Sequence, residues 1–489
     1  MEYNINTFGL PVNVGGFISL HYRKLVLILA LGVTAFWPTL RVGFMIDDPF
    51  LIRATERDPG LHWKGLKSDL TEVVHKETGT YYYRPVLSLM VRVEHFFWDQ
   101  RPLGYHVVSL LFHLSNAIMI FVLFSLLGFE PLVSFIVASL FAVNPVIVDD
   151  LMAATGGESM ANFFLLATLL LCLKNRGWPA LLLSFPALFS KESNIVLPGL
   201  FLLCLFLQKR LRENYLQLLW MLPAVGAFLV LRSRVVPHMP ESLGTQTLPF
   251  LFLALPRIVF HYLRVLYVPL GLETWPPIFH LSHFWPVYLA VLGVFLAGLL
   301  FIPRHRTVIL FCLGWFVFTF ATRIPAMMLN QVMMDKWIFM SSPVLFLPMA
   351  AMLARLWNHP RPFLRWASKG FFIFGILFWI TLVHLNVDLR GSDEKNYRVT
   401  VREGPRGFAS YRLGIILMQS GRAEEAVLVM EPLPALYPES PDYQNGYALA
   451  LWDAGRRQEG FEKMKALVKK FPDYESVSKN AQRMEDALK

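Results

Sequence analysis

The chain has 489 residues, of which 55% are hydrophobic, 14% aromatic and only 16% charged. A mean hydropathy of +0.47 is more apolar than a water-soluble domain tolerates; it excludes a soluble enzyme and points to a polytopic membrane protein. The formal net charge of +10 then reads as a positive-inside bias and attraction to anionic lipid, and without a basic stripe interleaved with aromatics nucleic acid is excluded.

In chain order, the first apolar run begins at Leu25 behind Arg23 and Lys24. No small-residue cleavage site follows it, so it is expected to stay as a helix. The polar stretch over 42–102 is the expected first outer loop, with amphipathic helices. Within it, "RPVLSLMVRVEHFF" from Arg84 has Pro85 at a helix start and separates its apolar and charged residues, the pattern of a helix on a membrane surface.

Further spans are expected at 103–127, 132–148, 159–173, 178–190, 193–208, 214–231, 284–302, 307–322, 337–354 and 370–387. The fold class is therefore all-α, with roughly eleven transmembrane helices. Over 249–270, Arg257, His261 and Arg264 recur at helical spacing, which suggests an interfacial helix. Cys172, Cys204 and Cys312 lie inside apolar runs and read as small core residues. The connections at Lys174, Gln208, Pro303 and Arg355–Lys369 carry Lys and Arg almost without acid, whereas the alternate connections hold Asp149, Asp150, Glu158, Glu192 and Asp335. That asymmetry places the N-terminus in the cytoplasm and, with an odd number of spans, the tail outside.

The first 390 residues form the expected membrane domain, and 391–489 differ from them in kind. The tail repeats with a period of 34 residues, pairing Gly421 with Gly455, Leu417 with Leu451, Met430 with Met464 and Pro438 with Pro472. Ala426 falls opposite Gly460, and Gly414 opposite Ala448. This is tetratricopeptide spacing, in which small residues let two antiparallel helices approach closely.

Ionised groups at the edge of lipid are costly, so those at the outer helix ends are functional candidates. They are Asp47 and Asp48, Arg84, Asp149 and Asp150, Glu158, Lys191 and Glu192, Arg323, and Asp335 with Lys336. Coming from six segments at one membrane level, they are expected to converge on one pocket. The plain alternatives are a solvated helix boundary for the acid pair, a structural ion pair at Lys191–Glu192, and snorkelling for Arg323 and Lys336. His106 and His113 share one helix face and are either packing residues or pocket members.

Four stretches in order, "IDDPFLI", "YYYRPVLSLMVRVEHFFWDQRPLGYHVVSLLFH", "FAVNPVIVDDLMAATGGESMANFFLL" and "LFSKESNIVLP", resemble the TMTC family of transmembrane, tetratricopeptide-containing O-mannosyltransferases. "MMDKWIFMSSPVLF" is similar to that family's Glu-Arg-Tyr-Leu-Tyr-Leu-Pro-Ser stretch. The resemblance implies a GT-C glycosyltransferase that takes a sugar from a polyprenyl-phosphate donor on the non-cytoplasmic face. It implies a catalytic aspartate at Asp47 or Asp48, with Asp47 favoured as base and Asp48 positioning the acceptor or a cation. Such a carboxylate would take the acceptor hydroxyl's proton, while Arg84, Lys191, Arg323 and Lys336 would stabilise the leaving phosphate. A divalent cation, Mg or Mn, bound by Asp47 and Asp48 is the possible cofactor.

This chain departs from the family pattern in three places. Asn144 to Asp149 replaces His-Pro-Ile-His-Thr-Glu, Gly156-Gly157-Glu158-Ser159 replaces a Gly-Arg-Ala-acid motif, and Asp335-Lys336 replaces Glu-Arg. The short tail favours a bacterial inner membrane with the repeats in the periplasm, holding an acceptor protein or glycan. The competing functions are a flippase or transporter of lipid-linked glycans and a membrane-anchored tetratricopeptide scaffold.

Overall fold

The computed structural model describes residues 14–45, 47–56, 59–73, 82–236, 255, 257–276, 305–330, 333–402, 404, 406–472 and 474–489. Its regular structure is helical and divides into two compact units, Met1–Val387 and Asp388–Lys489.

In the first unit, α1 (Val14–Phe36) is followed by three helices of the 42–102 loop: α2 (Asp48–Glu56), α3 (Trp63–Thr71) and α4 (Pro85–Trp98). The long α5 (Pro102–Leu126) and α6 (Pro131–Val143) return through the body to α7 (Val148–Met152) and α8 (Gly157–Leu173). Then come α9 (Gly177–Ser190), α10 (Leu197–Leu207) and α11 (Leu222–Val235), a helix α12 over 257–267, α13 (Arg306–Ala321), α14 (Ser342–Trp357) and α15 (Pro362–Arg390). A proline in the first turn opens α4, α5, α6, α10, α11 and α14, where its missing N–H has no intrahelical partner to lose.

Among the described residues, six helical stretches are long and apolar enough to cross a membrane: Ser19–Arg41, Pro102–Leu126, Pro131–Met152, Arg306–Met327, Asp335–Trp357 and Pro362–Arg390. Leu211–Trp220 and Leu222–Val235, bent by 44°, would add a seventh if they form one span. The expected spans at 159–173, 178–190 and 193–208 correspond to shorter apolar helices, and the one at 284–302 lies outside the described residues.

The body is held by apolar contact: α5 packs on α1, α6 and α8; α8 on α9; α6 on α14; and α10 on α13. Phe36, Phe121, Phe124, Phe141, Phe201, Phe311 and Trp315 are fully buried in one continuous core. The 42–102 loop packs onto this body through α4, which touches α2, α3, α5 and α9. Leu87 and Val91 of α4 are buried, whereas Phe96 and Phe97 are exposed. Arg92 closes the loop on itself, forming an ion pair with Asp69 and donating to the Gly60 carbonyl at 3.2 Å.

The second unit contains paired helices Gly407–Gln419 with Ala423–Met430, and Pro441–Asp453 with Arg457–Lys470, followed by Glu475–Leu488. Gly421 and Gly455, one period apart, turn the chain at φ +73° and +84°, where a side chain would be strained. The small residues at the crossings have a steric reason: a Cβ on Gly460 would lie 2.7 Å from the Ala448 carbonyl oxygen.

Candidate active site

The two aspartates that open α2 have opposite environments. Asp47 is exposed, and its carboxylate has no side-chain partner among the described residues. Asp48 is fully buried, and its two oxygens accept four hydrogen bonds. The amides of Met45 and Ala154 donate to Oδ2 at 2.9 Å each, while the Thr155 amide and hydroxyl donate to Oδ1 at 2.8 and 2.6 Å. Burial pushes the Asp48 carboxyl up to about 6, with the four donors working against that rise, so it is ionised at neutral pH.

Asp48 is therefore a fastener between the 42–102 loop and the turn over 153–156, and its oxygens are committed to donors. That disfavours the acid pair as a divalent-cation site, since N–H and O–H groups occupy the lone pairs a metal would need. Among the described residues no group of three His, Cys, Asp or Glu side chains stands close enough to hold an ion.

Asp150 fastens the other side of the same turn. Its Oδ1 accepts from the Glu158 amide at 3.0 Å, and its Oδ2 accepts from the Ser159 amide and hydroxyl at 2.9 Å each. It thus caps α8 from outside the helix. Asp149 is buried in α7. The turn is tight enough to require Gly156, where a Cβ would lie 2.1 Å from the Asp150 carbonyl oxygen. Gly156→Ala is expected to cost about 1–3 kcal/mol, measured as a lower thermal midpoint; an unchanged midpoint would mean that the turn moves freely.

Capping by Asp150 places Glu158, in the first turn of α8, inside the body. Arg323 Nη1 and Nη2 donate to Glu158 Oε1 and Oε2 at 3.1 and 3.0 Å, and Lys191 Nζ donates to Oε1. Lys336, half-buried, is near enough for its charge to act on Glu158 and has no hydrogen-bond partner among the described residues. One residue beyond Lys191, Glu192 accepts a bidentate fork from Arg84 Nε and Nη2 at 2.8 and 2.6 Å. The Arg84 guanidinium also lies 4.2 Å from the Tyr82 ring centroid. These six charged groups form one electrostatic cluster, since Lys191 responds to both Arg84 and Glu158. Four cations share it with two carboxylates, so it is net positive and suited to an anion.

Asp335 pairs with His261, its Oδ1 2.7 Å from His261 Nε2 and its Oδ2 accepting from the Glu273 amide at 2.9 Å, beside Tyr262, on which Arg323 and Glu158 also act. Of the stretch 249–270, residues 255 and 257–270 are described: His261 is buried on α12, whereas Arg264 is exposed and Arg257 half-buried.

His106 and His113 bind the scaffold. His106 spans two carbonyls, Leu151 at 3.1 Å and Val42 at 3.0 Å, next to the turn and the loop that the aspartates fasten. His113 meets the Ala142 carbonyl at 3.0 Å and packs among Phe36, Phe141 and Phe339. Both occupy structural positions.

Asp47 and the cation cluster are linked through a short piece of chain. Asp48 touches Thr155, and Glu158 is three residues further on, so chain geometry keeps Asp47 within about 20 Å of the cluster. Three participants gave little signal in the sequence. Thr155 and His261 act only through partners far away in the chain. Glu94 is a buried acid on α4 that the amphipathic pattern hides among exposed charges.

No family model matches the chain. Among curated proteins it is similar to protein O-mannosyl-transferase TMTC3 of Mus musculus, 25% identical over 200 residues, which cover 38% of this chain and 22% of that protein. The Homo sapiens protein of the same name is 24% identical over 163 residues, covering 32% and 18%. Protein O-mannosyl-transferase F38B6.6 of Caenorhabditis elegans is 27% identical over 221 residues, covering 42% and 31%. The chain spans between about a fifth and a third of the length of these relatives. An apolar helical body with a buried, net-positive cluster therefore belongs to a chain similar, over part of its length, to the TMTC-type protein O-mannosyl-transferases.

Proposed function

We propose that this chain is a membrane glycosyltransferase of the GT-C class. It moves one sugar from a polyprenyl-phosphate donor to a hydroxyl of an acceptor protein or glycan on the non-cytoplasmic face, which we assign to the periplasmic side of a bacterial inner membrane. The observation that carries this reading is the surplus of cations around Glu158 and Glu192, two of them buried and two half-buried, a short link of chain away from the exposed, unpartnered Asp47.

The roles follow from charge. Asp47 takes the proton from the acceptor hydroxyl as its oxygen attacks the anomeric carbon. The carbon–oxygen bond to the phosphate breaks, and the phosphate leaves with the bonding electrons. That leaving group needs positive charge more than a proton, and Lys336 is the cation least committed to a partner. Arg84, Lys191 and Arg323 are held by Glu192 and Glu158, and they set the potential around it. A single displacement with one base inverts the anomeric centre. The repeated helices over 407–488 are assigned as tetratricopeptide units that hold the acceptor.

The test is transfer of labelled mannose from polyprenyl-phosphate mannose to hydroxyl-bearing peptides by the full chain in vesicles. Labelled product that falls by about tenfold or more in Lys336→Met supports the reading. Donor translocation without product would replace it with a flippase.

A further inference from the structure

Glu94 lies on the buried side of α4, and among the described residues no hydrogen-bond donor or cation reaches its carboxyl. It borders a small pocket between α4, α5 and the turn at 154–156, together with Ser109, Ala154 and Thr155, while Met90 and Phe112 supply apolar walls. Ala154 and Thr155 are the residues whose amides hold Asp48, so two buried carboxyls address a single turn.

The charge that acts on Glu94 is that of Asp48 on α2. Glu56 and Asp99, like Glu94, act on Tyr105 of α5, Arg53 of α2 is exposed, and His106 of α5 is held by two backbone carbonyls. On α4 itself, Arg92 is paired with Asp69 of α3, and His95 faces Asp99 at 3.5 Å. Lys64 and Lys67 of α3 are exposed, α9 carries no ionisable side chain, and Glu158 of α8 is bound to its own cations.

We propose that Glu94 is a positioning residue that keeps the proton of a buried acid pair with Asp48, leaving Asp48 ionised to hold the turn at 154–155. Two buried carboxyls beside one turn do not both ionise without a large electrostatic cost. The proton belongs on Glu94 because Asp48 has four donors and Glu94 has none. Burial, and then the charge of Asp48, push Glu94 well above the usual carboxylate range. As pH rises through the raised range in which Glu94 finally ionises, the pair repels itself and the joint beneath Asp47 loosens. This holds whether or not the chain transfers sugar, and the readout below is independent of transfer.

The experiment follows thermal unfolding of the full chain in detergent, and limited proteolysis of the 42–102 loop, from pH 6.5 to 8.5. The folded state retains a proton that the unfolded chain has already lost, so stability is present at the acid end and falls as pH rises. The unfolding equilibrium is expected to increase by up to about tenfold per pH unit over the part of that range in which Glu94 still holds its proton, and to level off once it ionises. Asp48 does not contribute there, because its carboxyl, at about 6, is already ionised. Glu94→Gln should remove the dependence and the alkaline sensitivity of the loop. Glu94→Met, which lacks an ionisable group, should flatten the profile in the same way. A wild-type slope retained in either variant would overturn the proposal.

Discussion

Asp47→Asn is expected to lower sugar transfer by roughly 10²–10⁴-fold and to leave the thermal midpoint unchanged. The substitution removes a base that touches nothing in the fold, since the side chain is exposed and unpartnered. Asp48→Asn should behave in the opposite way. An amide can offer one acceptor oxygen where the carboxylate offered two, so its NH2 group would face the Met45 and Ala154 amides that now donate to Oδ2. Two buried donors lose their acceptor, at about 2–4 kcal/mol in stability. Transfer assays and melting curves on the two variants separate the roles: full activity in Asp47→Asn, or equal destabilisation by both, would show that the division of labour between the neighbours is wrong.

The largest effect on stability is expected at Glu158. Glu158→Ala leaves Lys191 and Arg323 buried without their counter-charge, where removing one member of a buried ion pair typically costs 3–5 kcal/mol. For a chain of this size that corresponds to a fall of roughly 3–5 °C in the melting point. Glu158→Gln retains the volume and one acceptor, so its loss should be smaller. Arg84→Lys provides the contrast, because it preserves charge toward Glu192 but breaks the fork, at a cost of about 1 kcal/mol. A Glu158→Ala protein that melts with the wild type would mean that water reaches the cluster freely.

Much of the helical framework was legible in the sequence because its signals are local. Apolar runs and first-turn prolines marked the long helices, and the spacing of Gly421 and Gly455 marked the turns of the tail. The site was legible in residue type but not in pairing. Nothing near Arg84 indicates that its partner is Glu192, 108 residues away, and nothing near Glu158 indicates Arg323, 165 residues away. Asp47 and Asp48 are neighbours in sequence, and only the turn at Ala154 and Thr155 makes one of them structural. Glu94 was hidden for a related reason. The amphipathic pattern assigns the charges of α4 to water, but neighbouring helices cover that side and bury Arg92 and Glu94.

The triad at Glu158 also has an order in time. Its members leave the ribosome separately: the acid first, Lys191 33 residues later, and Arg323 only after much more of the chain. At about 5–20 residues per second, the acid and the lysine wait on the order of ten seconds for the arginine. During that interval they can insert as a neutral couple, which crosses the edge of a bilayer at far lower cost than either ion alone. Arg323, and after it Lys336, then supply the net positive charge, so the nascent body acquires its anion-attracting character late in synthesis.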